Sequence, residues 1–332
     1  MSKTVVITGG TAGVGRACAE AFARRGWSVG IIARDADRLA QTERALRAMG
    51  AADVLTVSAD IADAAAVDKA AAAFEKALGP IEVWVNNVMT TVFAALSQMT
   101  ADEFRRVTEV TYLGQVYGTM AALRHMRPRR RGRIIQVGSG LSYRSVPLQS
   151  AYCGAKHAIR GFTDSLRSEL IHDQAGIDLC MIYLPAMNTP QFGWARNRMP
   201  QLPYPAPPIY QPQAAARAVV FAALNPRREI WVGRSTLQLG ALQLLAPGLG
   251  DRLMAARAYA GQMSGEPALP GEGNLFAAVE GPRDADGRWP HEAQAGLGEM
   301  WSSRQRDAMS AVVAGLAAIG LLKVAKRMAG VR

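Results

Sequence analysis

Short apolar runs alternate with longer stretches of helical period from Thr4 to Val232. Thr4 to Thr8 (TVVIT), Ser28 to Ala33 (SVGIIA), Val54 to Ser58, Ile81 to Asn86, Arg133 to Gly138, Leu179 to Leu184 and Glu229 to Val232 read as strands. Gly15 to Arg25, Asp37 to Met49, Ala64 to Leu78, Ala101 to His125, Ser150 to Ile171 and Gln213 to Leu224 read as helices between them. These strands are apolar at successive positions and leave no face for water, the mark of a sheet covered on both sides. The alternation predicts an α/β fold with a doubly wound parallel sheet of about seven strands.

Beyond about residue 240 the alternation stops. Residues 1–245 are expected to form the folded domain, 246–300 an irregular Gly/Pro-rich extension, and 301–332 an apolar helix with a basic end. Gly261 to Gly298 is rich in Gly, Pro, Glu and Asp, with isolated Phe276 and Trp289, and is expected to drape over the core. A last helix is expected from about Glu299 towards Met328. Gln201 to Gln211 carries prolines at 203, 205, 207 and 208, too many for a helix, so it should be extended.

Composition narrows the functional classes. Of 332 residues, 49% are hydrophobic and 20% charged, which supports a large core and excludes a chain disordered as a whole. Cys18, Cys153 and Cys180 lie far apart and the four histidines are scattered, so neither a disulfide scaffold nor a metal cluster is expected. A Met-Ser-Lys start leading into a strand lacks the features of a secretory signal, and a cytoplasmic setting is expected. The net charge of +11 favours an anionic partner, and a phosphorylated cofactor meets that need. Part of the excess lies in Arg124 to Arg133, read as a solvated loop in preference to a membrane or nucleic-acid patch. With no aromatic interleaving and no nucleic-acid motif, no nucleic acid is expected.

The candidate chemistry begins where the first strand ends. Thr8 to Gly15 (TGGTAGVG) joins that strand to the first helix, so its glycines permit close approach of a pyrophosphate and the helix start offers free N–H groups. Gly9, Thr11, Gly13, Val14 and Gly15 are therefore candidate cofactor residues. At the end of the second strand an acidic residue suits the ribose hydroxyl of NAD and an arginine suits the 2′-phosphate of NADP. Here Arg34 stands there, beside Asp35 and with Arg38 a turn on, so NADP(H) is favoured over NAD(H). Tyr152 and Lys156, four apart on a helix, share a face. An ammonium near a phenol lowers its pKa from about 10 and makes a usable acid/base. Ser139 ends a strand at the carboxyl edge of the sheet, where its hydroxyl can hold a carbonyl oxygen.

Together these motifs resemble the short-chain dehydrogenase/reductase family over about residues 3–235. They comprise Thr8-Gly9-xxx-Gly13-x-Gly15, Asp60, Asn86-Asn87, then Ser139 thirteen residues before Tyr152 and Lys156, and Pro185 to Thr189. The resemblance implies a Rossmann-type fold and an NADP(H)-dependent oxidoreductase that interconverts a carbonyl and a secondary alcohol. It implies that Tyr152 exchanges the proton, Lys156 binds the nicotinamide ribose and Ser139 holds the substrate oxygen. Asp60 would lie by the adenine, Asn86 by the cofactor ribose and Thr189 near the carboxamide, with Ile61, Asn87 and Pro185 as further cofactor-binding residues. Thr111 stands where the family usually has the Asn that supports a relay water, Met89 replaces a small residue, and Ala186 replaces the usual Gly.

The stretch Gln191 to Gln211 matches the family's variable substrate lid. Its Phe192, Trp194, Met199, Leu202, Tyr204, Ile209 and Tyr210 suggest a lipid-, steroid- or aromatic-like substrate, with packing on the body or on another subunit as the alternative. Ala308 to Leu322 would span about 22 Å as a helix, short of the roughly 30 Å of a bilayer core. Docking on protein, or peripheral membrane contact through that helix and its flanking cations, is expected instead. Family likeness also implies a homodimer or tetramer. The rival to catalysis is a catalytically weak or inactive NADP(H)-binding scaffold or sensor.

Overall fold

The structure is a computed structural model describing residues 2–269, 271–281, 284–296, 300–305 and 307–308. Strands β1 (Thr4–Thr8), β2 (Ser28–Ala33), β3 (Asp53–Ser58), β4 (Ile81–Asn86), β5 (Gly132–Ser139), β6 (Ile177–Leu184) and β7 (Glu229–Val232) pair in parallel. Across the sheet the order is β7-β6-β5-β4-β1-β2-β3. The order therefore reverses at β1, and this switch point opens a crevice at the carboxyl ends of β1 and β4. The predicted sheet is present, with one addition. β8 (Met300–Ser302) pairs antiparallel beyond β7, Trp301 opposite Trp231. The helix expected from about Glu299 therefore starts after this strand, which covers an edge of the sheet: residues 303–305 and 307–308 are helical. Of Ala308 to Leu322, all but Ala308 fall outside the described residues.

Helices α1 (Gly13–Ala23), α2 (Ala36–Ala48) and α3 (Ala64–Leu78) cross between the first four strands. Asp35 caps α2 through the Arg38 N–H at 2.9 Å, and Asp63 caps α3. The single helix expected over Ala101 to His125 is broken. α4 (Ala101–Thr108) opens with a reciprocal Thr100/Glu103 cap and passes through a π turn at Glu109–Leu113 into α5 (Gly114–Met126). α6 (Ser150–His172) carries Tyr152 and Lys156 in its first two turns. Two apolar layers fill the sheet faces. Phe22, Ile31 and Val219 lie on one side, and Phe74, Trp84 and Met126 on the other.

Residues 186–211 pack over the carboxyl edge: a short helix α7 (Gln191–Trp194) leads into the extended strands Gln201–Pro203 and Ile209–Tyr210. Then follow α8 (Pro212–Leu224), α9 (Arg234–Leu245) and α10 (Pro247–Leu253). The extension, expected to be irregular, instead carries α10 and returns across this lid, Met263–Pro267 pairing with Gln201–Pro203 and Ala293–Gln294 with Ile209–Tyr210. The basic run is matched by acids: Arg127 to Asp173 at 2.9 Å, Arg129 to Glu75 at 2.5 Å and Arg133 to Asp178 at 3.0 Å. Among the described residues no helix is long and apolar enough to cross a membrane.

Candidate active site

A cavity of about 760 Å³ runs along the carboxyl edge of the sheet. One end is walled by Arg34, Asp35, Arg38, Asp60 and Ile61, the other by Ser139, Tyr152 and Lys156. Gly9, Thr11, Gly13 and Val14 lie between, facing Asn87, Met89, Pro185 and Thr189. The chain reaches this geometry through its glycines. Gly9 and Gly13 have φ of 71° and 56°, where a side chain is strained. A Cβ on Gly15 would fall 2.1 Å from the Gly9 carbonyl oxygen, so only glycine lets α1 begin beneath the loop. The residue before α1, Ala12, supplies no side-chain cap. The first N–H groups of the helix therefore depend on acceptors outside it, and that of Gly13 donates to the Asp284 carbonyl at 3.0 Å.

At the far end Tyr152 and Lys156 rise from one face of α6 towards Ser139 at the tip of β5. Burial pushes the Tyr152 phenol above its usual value, and a hydrogen bond with Ser139 acts in the opposite direction. Burial also takes the Lys156 ammonium down to about 7. Its Nζ donates to the Val137 carbonyl at 2.7 Å and lies 5.6 Å from the centre of the Tyr152 ring. Ser139 Oγ accepts from the Leu141 N–H at 3.1 Å, which orients the hydroxyl.

Of the candidate residues, Gly15, Asn86 and Thr111 do not line the cavity. Asn86 is buried among its neighbours: Oδ1 accepts from Trp84 Nε1 at 2.8 Å, and Nδ2 donates to Thr119 at 2.9 Å and Gln136 at 3.0 Å. Asn87 holds the wall position, its Nδ2 donating to the Thr8 carbonyl at 3.2 Å. The Thr111 hydroxyl sits in the π turn and braces the loop after β4. It donates to the Thr90 carbonyl and accepts from the Thr90 N–H, both at 2.9 Å.

The lid residues divide. Phe192, Trp194 and Tyr204 line the cavity, whereas Leu202, Ile209 and Tyr210 are buried against the body. Trp289, isolated in the sequence, closes an aromatic group with Phe192 at 5.7 Å and Tyr204 at 5.5 Å between ring centres.

Several wall residues carry no motif. Thr91 Oγ1 and Gln191 Nε2 are buried on the wall without a hydrogen-bond partner, which suits a polar ligand in the cavity. Asn274, Ala278 and Val279 of the extension line the end near Arg34. Arg34 Nη2 donates to the Asn274 carbonyl at 2.6 Å and Nη1 to that of Phe276 at 3.1 Å. Arg38 Nε holds Asp35 at 2.8 Å, and its guanidinium stacks 5.2 Å from the Trp194 ring centre. Asp60 pairs with Arg106. Burial raises the Asp60 pKa, but the Ala62 N–H and Arg106 outweigh that and hold it below the usual carboxylate value. No local pattern marks Arg106 or residues 274–279, because their partners are remote in the chain.

Comparison with known proteins places this geometry. Residues 3–199 match the short chain dehydrogenase family model. The chain is 32% identical to the uncharacterized oxidoreductase YxnA of Bacillus subtilis (strain 168), over 81% of this chain and 76% of that protein. It is 30% identical to the 3-dehydrosphinganine reductase of Danio rerio, over 72% of this chain and 73% of that protein. Among solved structures, the alcohol dehydrogenase of Thermococcus sibiricus complexed with 5-hydroxy-NADP aligns with TM-score 0.61 and 25% identity. That alignment covers 70% of this chain and 96% of the archaeal one.

Proposed function

The chain belongs to the short chain dehydrogenase family, and from that premise we propose that it interconverts a carbonyl and a secondary alcohol with NADP(H), on a lipid-, steroid- or aromatic-like substrate. The observation that carries the reading is the single cavity joining a glycine-rich loop and two arginines to Ser139, Tyr152 and Lys156. Arg34 and Arg38 on its wall favour a 2′-phosphate. Phe93, Phe192 and Tyr204 on its walls favour an apolar substrate. The archaeal relative's complex with 5-hydroxy-NADP and the reductase relative's name agree with both assignments.

A nicotinamide coenzyme, when bound, supplies the hydride in reduction and takes it in oxidation. This chain's residues do the rest. Gly9 to Val14 and the start of α1 take the phosphates, with Asp60, Ile61 and Asn87 along the adenosine half. Lys156 holds the nicotinamide ribose. The Ser139 hydroxyl holds the substrate oxygen while Tyr152 Oη gives that oxygen its proton. Burial keeps the phenol protonated, the form that gives a proton to a carbonyl oxygen in reduction.

Nicotinamide absorbance followed with apolar ketones tests this. Tyr152→Phe should lower kcat by about 10²–10⁴-fold and leave the NADPH Kd nearly unchanged. Turnover near the wild-type rate would remove Tyr152 from the reaction. Coenzyme binding without turnover in the wild type would favour the scaffold reading, for which the occupied hydroxyl of Thr111 speaks.

A further inference from the structure

We propose that the backbone of residues 274–279 sets coenzyme selectivity by occupying the guanidinium that a 2′-phosphate requires; this rests on the dinucleotide reading of the cavity. Arg34 lies about 240 residues before this segment and is wrapped by it. Its Nη2 donates to the carbonyls of Asn274 at 2.6 Å and Ala277 at 3.3 Å, and its Nη1 to those of Phe276 at 3.1 Å and Leu275 at 3.5 Å. Arg38 Nη2 donates to the Val279 carbonyl. A little further on, the Asp284 carbonyl accepts from the Gly13 N–H at 3.0 Å, so the same stretch also touches the phosphate loop.

The segment is fastened from beneath. Leu275 is fully buried among Val92, Ala94, Val107 and Ala151, with Tyr152 against the same cluster. Arg106 Nε donates to the Leu275 carbonyl at 3.2 Å, and the Asn274 N–H donates to the Trp194 carbonyl at 2.8 Å. Asn274, Ala278 and Val279 nevertheless wall the cavity, so the strap roofs the adenosine end without filling it.

Arginine recognises phosphate through paired N–H groups of its planar fork. In Arg34 the Nη groups of that fork already face carbonyls. A 2′-phosphate must therefore displace part of the strap, which it can do because an anionic acceptor forms stronger hydrogen bonds than a neutral carbonyl. A ribose 2′-hydroxyl makes no such demand. The apparent affinity for NADP(H), and much less that for NAD(H), is thus reduced by the fraction of molecules whose strap is lifted. Intact protein prefers NADP(H) less than Arg34 and Arg38 alone would make it.

Fluorescence titration of the full chain with NADPH and NADH tests this in the wild type, Leu275→Ala, Arg34→Ala and the double variant. Loosening the strap in Leu275→Ala should tighten NADPH about tenfold relative to NADH, and the double variant should lose that gain. Hydrogen exchange on the unaltered protein is the second arm, since it does not depend on a core substitution folding. Peptides covering 271–281 should exchange faster with saturating NADPH than with saturating NADH. An unchanged NADPH-to-NADH ratio in folded Leu275→Ala, or equal or slower exchange with NADPH, would overturn the proposal while leaving the coenzyme reading intact. No binding of either coenzyme to any variant would overturn both.

Discussion

Single residues decide whether the cavity forms and what state its groups hold. Gly15 is the sharpest steric case. Because a Cβ there meets the Gly9 carbonyl at 2.1 Å, Gly15→Ala should cost about 1–3 kcal/mol and weaken both coenzymes equally, measured by urea unfolding and by titration. Lys156 is the electrostatic case. Its folded pKa of about 7 lies below the usual 10.5, so folding favours the neutral amine. Between pH 7 and 10.5 the unfolded chain binds more protons, and stability rises with pH across that window. Below pH 7 both states carry the charge and the penalty is constant. Lys156→Met should therefore raise the melting temperature most at pH 6 to 7, with the advantage shrinking by pH 10. A gain that does not change with pH would assign it to packing. Tyr152, Lys156 and Ser139 were legible because each stands at a fixed place on its own helix or strand end. The environments that shift them were not, since burial is set by elements distant in the chain.

At the scale of elements, one carboxylate reinforces the strand pairing of Arg196–Asn197 with Val92–Phe93 that ties the lid to the body. Glu103, 3% exposed at its side chain, receives Arg198 at 2.9 Å and Arg196 at 3.0 Å while capping α4 through Thr100. Burial alone would raise its pKa; hydrogen bonds from Arg198, the Thr100 N–H and Arg196 outweigh that and bring it to about 2. This group therefore stabilises the fold above about pH 4.5 and ceases to as pH falls towards 2. Glu103→Gln should cost about 2 kcal/mol, less than for a fully buried pair because Arg198 keeps 33% of its side-chain surface. The loss should be largest at pH 7 and vanish near pH 2, read by unfolding at each pH. Faster proteolysis within 191–211 in that variant would identify the lid as the part released. The helix expected over Ala101 to His125 shows the limit of periodicity. Its apolar spacing was sound, yet the hydrogen bonds between Thr111 and the Thr90 loop accompany a π turn that the local pattern does not announce.

For the whole molecule, the sheet needs its eighth strand more than the cavity does. β8 covers the outer edge of β7, on the side of the sheet away from Arg34 and the phosphate loop. Trp301→Pro removes a ladder donor and should lower the melting temperature by about 3 °C without changing NADPH affinity; a matching loss of affinity would join edge and cavity. The alternation of apolar strands and helices, the glycine-rich turn and the Ser139-Tyr152-Lys156 spacing were determined by the chain itself, because each is a local property of period or turn. The parallel sheet and the crevice at β1 follow from them once connections are short and right-handed. Tertiary structure alone decided that Asn86 joins a buried polar network, that residues 300–302 become a strand, and that a backbone segment some 240 residues away closes on Arg34. Carbonyls and edge-strand amides are common to every residue, so their choice of partner leaves no mark in side-chain pattern and appears only when the chain is folded.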